Sequence, residues 1–247
     1  MELQEFFEEN PRVALAFSGG VDSAYLLYAA KQFASEVQAY YVKSCFQPQF
    51  ELEDAKRLCR ELGAEMKVLN VDVLRSEEVR KNPSNRCYYC KKEIFETIRK
   101  AAANDGYAVL LDGTNASDDA DDRPGMKALR EMAVRSPLRE CGLTKTRIRE
   151  LSKEAGLFTW NKPAYACLAT RIPVGEEITE KKVADIEAAE GFLFSLGFSD
   201  FRVRTYCGHA RLQIPEPQTE LLLKYRGKIL SELKKYFQSV ALDLEAR

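Results

Sequence analysis

Short apolar runs alternate with longer amphipathic stretches over the first half of the chain. Four runs predict strands: Val13–Phe17, Val37–Val42, Glu65–Val71 and Ala108–Leu111. The first is continuously apolar, as in a buried parallel strand. Helical spacing follows the first three of them, in stretches that begin near Asp22, Glu51 and Lys91. Strands that alternate with helices predict an α/β fold, with a parallel sheet flanked by helices.

The second half has a different pattern. A polar, acidic loop is predicted at 115–125, a helix that Thr144 could cap at 144–155, and a long loop at 162–175. Beyond it the pattern predicts a helix, two short alternating strands and a further helix: Glu180–Leu196, Phe201–Thr205, Ala210–Ile214 and Glu216–Phe237. We therefore predict a main domain over residues 1–175 and a smaller α+β unit over 176–247.

Composition narrows the class of protein. The chain has 247 residues, 45% of them hydrophobic, and 37 Lys and Arg against 38 Asp and Glu give a net charge of −1. This balance disfavours a disordered chain and a general nucleic-acid binder. The sequence has no apolar run long enough for a membrane helix, and its acidic start does not resemble a secretory signal. We expect a cytoplasmic protein with neither nucleic acid nor membrane as partner.

The segment Phe17–Ser23, with the sequence FSGGVDS, carries the strongest chemical signal. A strand ends there, Gly19 and Gly20 permit a tight turn, and a helix begins, so backbone N–H groups converge on a site that suits phosphate. Ser18 and Ser23 add hydroxyl groups, and Asp22 needs a cation such as Mg²⁺ beside a phosphate. The segment resembles the SGGxDS signature of PP-loop ATP pyrophosphatases. That resemblance implies cleavage of ATP between its α- and β-phosphates, with Ser44 and Asp112–Asn115 near the nucleotide.

Three of the seven cysteines stand in chemically suggestive places. Cys87 and Cys90 form a CxxC pair, and Cys167 lies in the sequence AYACLATRIP. A CxxC pair is compatible with zinc, an iron–sulfur cluster or a redox disulfide. Three cysteines can hold a [4Fe–4S] cluster with one iron left open, which suits sulfur transfer. Cys45, Cys59, Cys141 and Cys207 are expected to be core or surface thiols.

Eight motifs in order extend the resemblance along almost the whole chain: SGGVDS, NRCYYCKK, DGTN, RPGMKAL, VRSPL, GLTKTRIRELS, KPAYACLATRIP and FRVR…ARL. Together they resemble the LarE family of ATP-dependent sulfur transferases. The resemblance implies a PP-loop fold of the adenine nucleotide alpha hydrolase type and a homo-oligomer. It also implies that the carboxylates of pyridinium-3,5-biscarboxylic acid mononucleotide are adenylated and converted to thiocarboxylates. The product is then a precursor of the nickel-pincer cofactor of lactate racemase.

The same resemblance gives roles to individual residues. Ser18, Gly19, Gly20, Asp22, Ser23, Ser44 and Thr114 are expected to bind ATP and Mg²⁺. Cys167 is the expected sulfur residue, either sacrificing its own sulfur or joining Cys87 and Cys90 to hold a [4Fe–4S] cluster; the CxxC pair favours the cluster. Arg202 and Arg204, on one face of a strand, are expected to bind the substrate phosphate. Arg171 could support a phosphate, and Glu190 or the acidic positions 118, 119, 121 and 122 could bind metal. The family's metal-site carboxylate is replaced by Gln213.

Two other enzyme classes remain open from the residues. A PP-loop tRNA thiolase also combines SGGxDS with three cysteines, although it needs a basic surface to bind RNA. An amidating ligase similar to NAD synthetase would leave the cysteines without a role. The source of the sulfide, or of another sulfur donor, is left open by the sequence.

Overall fold

The computed structural model describes residues 2–118 and 124–245. Its strands are β1 Arg12–Ala16, β2 Glu36–Lys43, β3 Met66–Asn70, β4 Val109–Leu111, β5 Arg202–Tyr206, β6 His209–Gln213 and β7 Val240–Leu242. Its α-helices are α1 Leu3–Glu9, α2 Val21–Phe33, α3 Gln49–Leu62, α4 Glu77–Arg80, α5 Arg86–Asn104, α6 Pro124–Glu131, α7 Pro137–Glu140, α8 Lys145–Glu154, α9 Glu180–Ser195 and α10 Thr219–Leu233. Short 3-10 helices cover Val73–Arg75, Phe158–Asn161, Leu168–Arg171 and Glu216–Gln218.

The chain divides into two compact units. The first comprises Met1–Val73 and Asn85–Lys162, and the second comprises Leu74–Ser84 and Pro163–Arg247. The second unit therefore takes in a short early segment as well as the C-terminal part of the chain. Its boundary at residue 163 precedes the boundary that we predict at residue 176.

The first unit confirms the predicted parallel sheet. The strand order is β3-β2-β1-β4, and every pairing is parallel. Successive residues point to opposite faces, so Val13 and Leu15 pack in one core with α1, α2 and α3, whereas Ala14 packs with α5 and α6 in another. The chain runs from β1 to β3 on one side and then crosses to β4. The adjacent ends of β1 and β4 are thus the place where such sheets bind ligands.

The second unit confirms the smaller α+β region. Strands β5 and β6 form an antiparallel hairpin, and β7 pairs with β6 in parallel. The hairpin turns at Cys207 and Gly208, which both have positive φ angles, as a two-residue turn requires. Helix α9 packs against β5, and its buried residues include Ile186 and Leu193. None of the helices in the described ranges has both the length and the apolar character that crossing a membrane demands.

Candidate functional site

The glycine turn after β1 has the geometry that its sequence predicts. Gly19 has φ +72°, and Gly20 is the N-cap of α2. A Cβ atom on Gly19 would lie 3.2 Å from the Cβ of Ala55, in addition to the strain of a positive φ. The 13-residue helix α2 therefore begins directly after a turn in which Gly19 is buried and Gly20 is partly exposed. Free N–H groups and the helix dipole make this end suitable for an anion.

The two serines of the signature have unequal roles in this turn. Ser23 is buried, and its Oγ donates to the Gly20 carbonyl at 3.2 Å and accepts from the Ser18 N–H at 3.3 Å. The Ser18 and Ser23 hydroxyl oxygens are 3.0 Å apart. Because Ser18 is exposed, its hydroxyl can reach a ligand while Ser23 stabilises the turn.

The loop after β4 lies against the start of α2. A Cβ atom on Gly113 would come within 2.9 Å of the Ser23 backbone nitrogen, so only glycine allows this approach. The Thr114 hydroxyl donates to Asp112, and the Ser136 hydroxyl donates to the same carboxylate at 2.6 Å. Asp112 and Thr114 thus keep the loop in shape, and Thr114 is 8% exposed beside the predicted nucleotide site.

Asp22 is the acidic centre of this site. Its carboxylate accepts hydrogen bonds from the Lys145 ammonium and, at 3.4 Å, from the Asn115 side-chain amide. Burial raises the pKa of Asp22, and this effect outweighs the hydrogen bond and charge of Lys145, which lower it. The negative charge of Asp118 also raises this pKa. Asp22 and the nearby Asp118 are carboxylates, the ligand type that Mg²⁺ prefers, although the Asp22 oxygens contact the nitrogen donors of Lys145 and Asn115.

Ser44 lies at the end of β2, on the same edge of the sheet as the glycine turn. It is 5% exposed, and its hydroxyl donates to Gln47 Oε1 at 2.7 Å while accepting from the Phe46 N–H at 3.2 Å. These contacts give Ser44 a role in shaping the loop after β2. Direct binding of ATP by Ser44 stays a prediction.

Cys87 and Cys90 lie inside a helix rather than before one. Helix α5 begins at Arg86, five residues before the predicted start. Cys87 is exposed and lies 3.9 Å from the Arg86 Nη2, while Cys90 is buried. Across residues 2–118 and 124–245, no group of three or more His, Cys, Asp or Glu side chains is arranged to hold a metal ion. The acidic positions 119, 121 and 122 lie outside the described residues.

Within the second unit, Cys167 precedes the 3-10 helix Leu168–Arg171 and is partly exposed. Its carbonyl oxygen accepts hydrogen bonds from the Thr170 hydroxyl at 2.9 Å and from Arg171 Nη1 at 3.3 Å. The backbone at Cys167 is therefore held from its C-terminal side. We call residues 164–171 the cysteine loop.

Arg171 and Glu190 form a buried ion pair beneath the cysteine loop. Arg171 Nε and Nη2 lie 2.9 Å and 3.0 Å from the two carboxylate oxygens, and both side chains are almost fully buried. Burial would lower the pKa of Arg171, but the hydrogen bond and charge of Glu190 more than compensate, so that pKa is raised. The sequence suggests that Arg171 supports a phosphate and that Glu190 binds a metal. In the structure these two side chains are already bonded to each other.

Arg202 and Arg204 also contact backbone carbonyls of the cysteine loop. Arg202 Nη2 donates to Ala164 O at 2.6 Å, and Arg204 Nη1 donates to Thr170 O at 2.7 Å. Arg204 Nε also donates to Gln213, which in turn donates to Asp243. The arginines of β5 thus connect this strand to the loop that carries Cys167.

Two sets of contacts were not predicted from the sequence. Lys145 is 123 positions from Asp22 along the chain, and only the fold brings them together. Its motif GLTKTRIRELS contains the available signal, a lysine at the first position of a helix capped by Thr144. The Arg171–Glu190 pair spans 19 positions between a loop and a helix, so no local spacing indicates it.

Comparison with known proteins supports the family resemblance that the sequence motifs indicate. A family model described as a PP-loop domain matches residues 1–136. An uncharacterized protein of Synechocystis sp. is 36% identical over 98% of this chain and 92% of its own length. The pyridinium-3,5-bisthiocarboxylic acid mononucleotide synthase of Lactiplantibacillus plantarum is 36% identical over 94% of this chain and 86% of its own length. A tRNA-specific 2-thiouridylase of Pseudothermotoga lettingae is 27% identical over 67% of this chain. The chain therefore belongs to the PP-loop proteins and, among them, to the LarE family of the Lactiplantibacillus synthase.

Proposed function

We propose that this protein is an ATP-dependent sulfur transferase that converts the carboxylates of pyridinium-3,5-biscarboxylic acid mononucleotide to thiocarboxylates. The observation that carries the proposal is the seating of Gly113 against Ser23, which brings the loops after β1 and β4 together at the end of α2. A relative that covers most of the chain and is named for the bisthiocarboxylic product supports the choice of substrate.

The first step is activation of a carboxylate. A substrate carboxylate oxygen attacks the α-phosphorus of ATP, the bond between the α-phosphorus and the bridging oxygen breaks, and pyrophosphate leaves. The backbone N–H groups of the glycine turn and the Ser18 hydroxyl would hold the leaving pyrophosphate. Asp22 would hold Mg²⁺, which supplies neutralisation of phosphate charge. Lys145 adds a positive charge on the same side.

The second step is the capture of sulfur. Adenylation makes AMP the leaving group, so hydrosulfide attacks the carbonyl carbon, the C–O bond to AMP breaks, the S–H proton is lost, and a thiocarboxylate remains. In the sacrificial version the Cys167 thiolate attacks instead, and its Cβ–S bond then breaks to leave dehydroalanine. We propose that Cys167 supplies this sulfur, either from its own side chain or from a cluster that it helps to hold. Arg202 and Arg204 are proposed to bind the substrate phosphate, because guanidinium groups suit phosphate and both arginines border the cysteine loop.

We propose the version of the enzyme in which Cys87, Cys90 and Cys167 hold a [4Fe–4S] cluster. Two thiols one helical turn apart supply only part of such a ligand set, so we derive no reaction step through a cluster. Anaerobic iron and acid-labile sulfide analysis tests the proposal, with Cys87→Ser expected to lose iron and Cys45→Ser to retain it. A colourless wild type whose Cys167 peptide loses the mass of hydrogen sulfide after one turnover would establish the sacrificial version.

A pyrophosphate assay with the biscarboxylic mononucleotide tests the function itself. Wild type should release pyrophosphate and form thiocarboxylate when supplied with sulfide, and Asp22→Asn should do neither. Asp105→Asn is the matched control, because Asp105 lies in the same unit and contacts Lys67 and Tyr40 instead of the glycine turn. Pyrophosphate release by wild type that does not depend on the mononucleotide would refute the assigned substrate.

The similarity to a tRNA 2-thiouridylase makes tRNA thiolation the second candidate. The net charge of −1 argues against it, because RNA affinity depends on basic surface. Filter binding of bulk tRNA at low and high salt separates the two, since a thiolase would bind tightly and lose affinity with salt. A cytoplasmic location and a homo-oligomer complete the proposal, and cell fractionation and light scattering test them.

A further inference from the structure

The cysteine loop is held mainly through its own carbonyl oxygens. The carbonyls of Ala164, Ala166, Cys167 and Thr170 all accept hydrogen bonds from arginine side chains. Such contacts fix the backbone irrespective of the side chains that the loop carries. The position of the Cys167 Cα atom is thus set by guanidinium groups.

Arg171 has the central place among these donors. Its Nη1 donates to Ala166 O at 2.7 Å, to Thr170 Oγ1 at 2.9 Å and to Cys167 O at 3.3 Å. Its other two nitrogens are engaged by Glu190. Because the guanidinium group is planar and rigid, fixing one side of it with a carboxylate fixes the direction of the other side.

Glu190 is in turn fully engaged. One carboxylate oxygen accepts from Arg171 Nε and from the Val203 N–H at 2.8 Å, and the other accepts from Arg171 Nη2 and the Tyr165 hydroxyl. A carboxylate offers about four acceptor sites. A metal ion could therefore bind Glu190 only by displacing one of these donors, which argues against the metal role that the family resemblance suggested.

Stability gives a poor explanation for this arrangement. A buried ion pair pays a large desolvation cost, and apolar side chains of similar volume often serve as well or better. The pair does something that apolar groups cannot, because it connects helix α9 and strand β5 to the carbonyl of Cys167. The contacts therefore favour a role for the ion pair in fixing the position of the Cys167 backbone.

We propose that Arg171 and Glu190 are a positioning pair that holds the backbone of Cys167 so that sulfur reaches the activated carbonyl. The inference rests on the proposed function and deepens it. Arg171 donates to the Cys167 carbonyl and Glu190 holds Arg171, so both residues are proposed to act through Cys167. A displacement of about 1 Å at a reacting group can cost about 100-fold in rate, which makes such a device consequential.

The number of thiocarboxylates formed per pyrophosphate released tests this role. Arg171→Lys keeps the charge but loses the planar fork, and we expect this ratio to fall by about tenfold or more. A smaller folded fraction would lower both products together and leave the ratio unchanged. Arg80→Lys is the matched control, because Arg80 pairs with Glu177 at the surface of the same unit.

A second variant leaves the buried pair intact. Thr170→Val removes the hydroxyl that links Arg171 to the Cys167 carbonyl, and it should lower the ratio less than Arg171→Lys does. Thr205→Val is its control. The Thr205 hydroxyl donates over 3.4 Å to the Arg171 carbonyl, whereas the Thr170 hydroxyl donates to the Cys167 carbonyl. An unchanged ratio in Arg171→Lys and Thr170→Val, or an equal fall in the controls, would overturn the proposal.

Alkylation of Cys167 provides a readout that does not need the reaction. Iodoacetamide labelling, followed by peptide mass spectrometry, should give a Cys167 rate in Arg171→Lys that differs from wild type by about tenfold. Cys207, which is exposed, is the internal reference and should not change. A wild type that releases no pyrophosphate would refute the proposed function, whereas equal Cys167 labelling in wild type and variant would refute the positioning pair.

Discussion

The Asp22 carboxylate accepts a hydrogen bond from the Lys145 ammonium, which comes from the first residue of helix α8. The contact places a positive charge beside the acidic residue of the glycine turn. Removing the charge should slow the reaction and strengthen the binding of Mg²⁺. Lys145→Met should lower pyrophosphate release by about 10- to 100-fold, as the loss of about 1.5–3 kcal/mol from a charged hydrogen bond implies. It should also lower the Mg²⁺ concentration that gives half of the maximal rate, because Asp22 is then unpaired.

The control for this variant is Lys181→Met. Lys181 pairs with Asp185 on the surface of the second unit, and its loss should leave both quantities unchanged. If Lys145→Met instead raises the Mg²⁺ concentration that gives half of the maximal rate, then Lys145 does not compete with the metal for Asp22.

Asp22 should reduce the stability of the folded protein at neutral pH. Its pKa is raised by burial, and a group whose folded-state pKa exceeds its unfolded value supports the fold only while it is protonated. That contribution is complete below the unfolded pKa and is lost as pH rises through the folded pKa. Asp22→Asn should therefore be more stable than wild type at pH 7, and the advantage should shrink towards pH 4 and below. Urea unfolding at a series of pH values measures this difference.

Asp105→Asn should show the opposite sign. The hydrogen bond from Lys67, with that from Tyr40, lowers the pKa of Asp105, so this carboxylate supports the fold above its unfolded pKa. The variant should be less stable than wild type at pH 7, and the two should converge as pH falls. The same pH trend in both variants would contradict the assignment of burial as the dominant effect at Asp22.

Gly113→Ala should damage both stability and activity. The new Cβ would meet the Ser23 backbone nitrogen at 2.9 Å, and neither backbone can move without disturbing the glycine turn. We expect a loss of about 1–3 kcal/mol, the usual cost of overpacking, together with a fall in pyrophosphate release. Gly191→Ala is the control, because its Cβ would lie in open space on helix α9. This change should raise the free energy of unfolding by about 0.5–1 kcal/mol without affecting activity. Thermal melting and the pyrophosphate assay measure both effects.

The parts of the fold that the sequence predicts well are those with strong local patterns. The runs at β1 and β2 are apolar on both faces, and the glycine turn has a backbone requirement that only its own residues express. The sequence predicts the start of α5 five residues too late, because Cys87 and the tyrosines have modest helix propensity and Asn85 makes no side-chain cap. Strand β7 has three residues, too few for a pattern to emerge.

The candidate site divides in the same way. Residues within the SGGVDS segment could be identified because neighbours along the chain share one function. The partners of Asp22 and Arg171 could not, because burial and pairing between distant segments depend on packing that a single sequence does not encode locally. The Glu190 carboxylate illustrates this, since only its four donors reveal how it is used.

The segment Leu74–Ser84 belongs to the second unit although it interrupts the first. Asn82 has a positive φ angle and donates to the carbonyls of Ile172 and Pro173, and Gly175 donates back to Asn82. A cut after Lys162 would consequently leave Leu74–Ser84 in the N-terminal fragment, separated from the residues that it contacts. Recombination could exchange residues 163–247 with another enzyme only by replacing Leu74–Ser84 at the same time, so the two segments are expected to be inherited together.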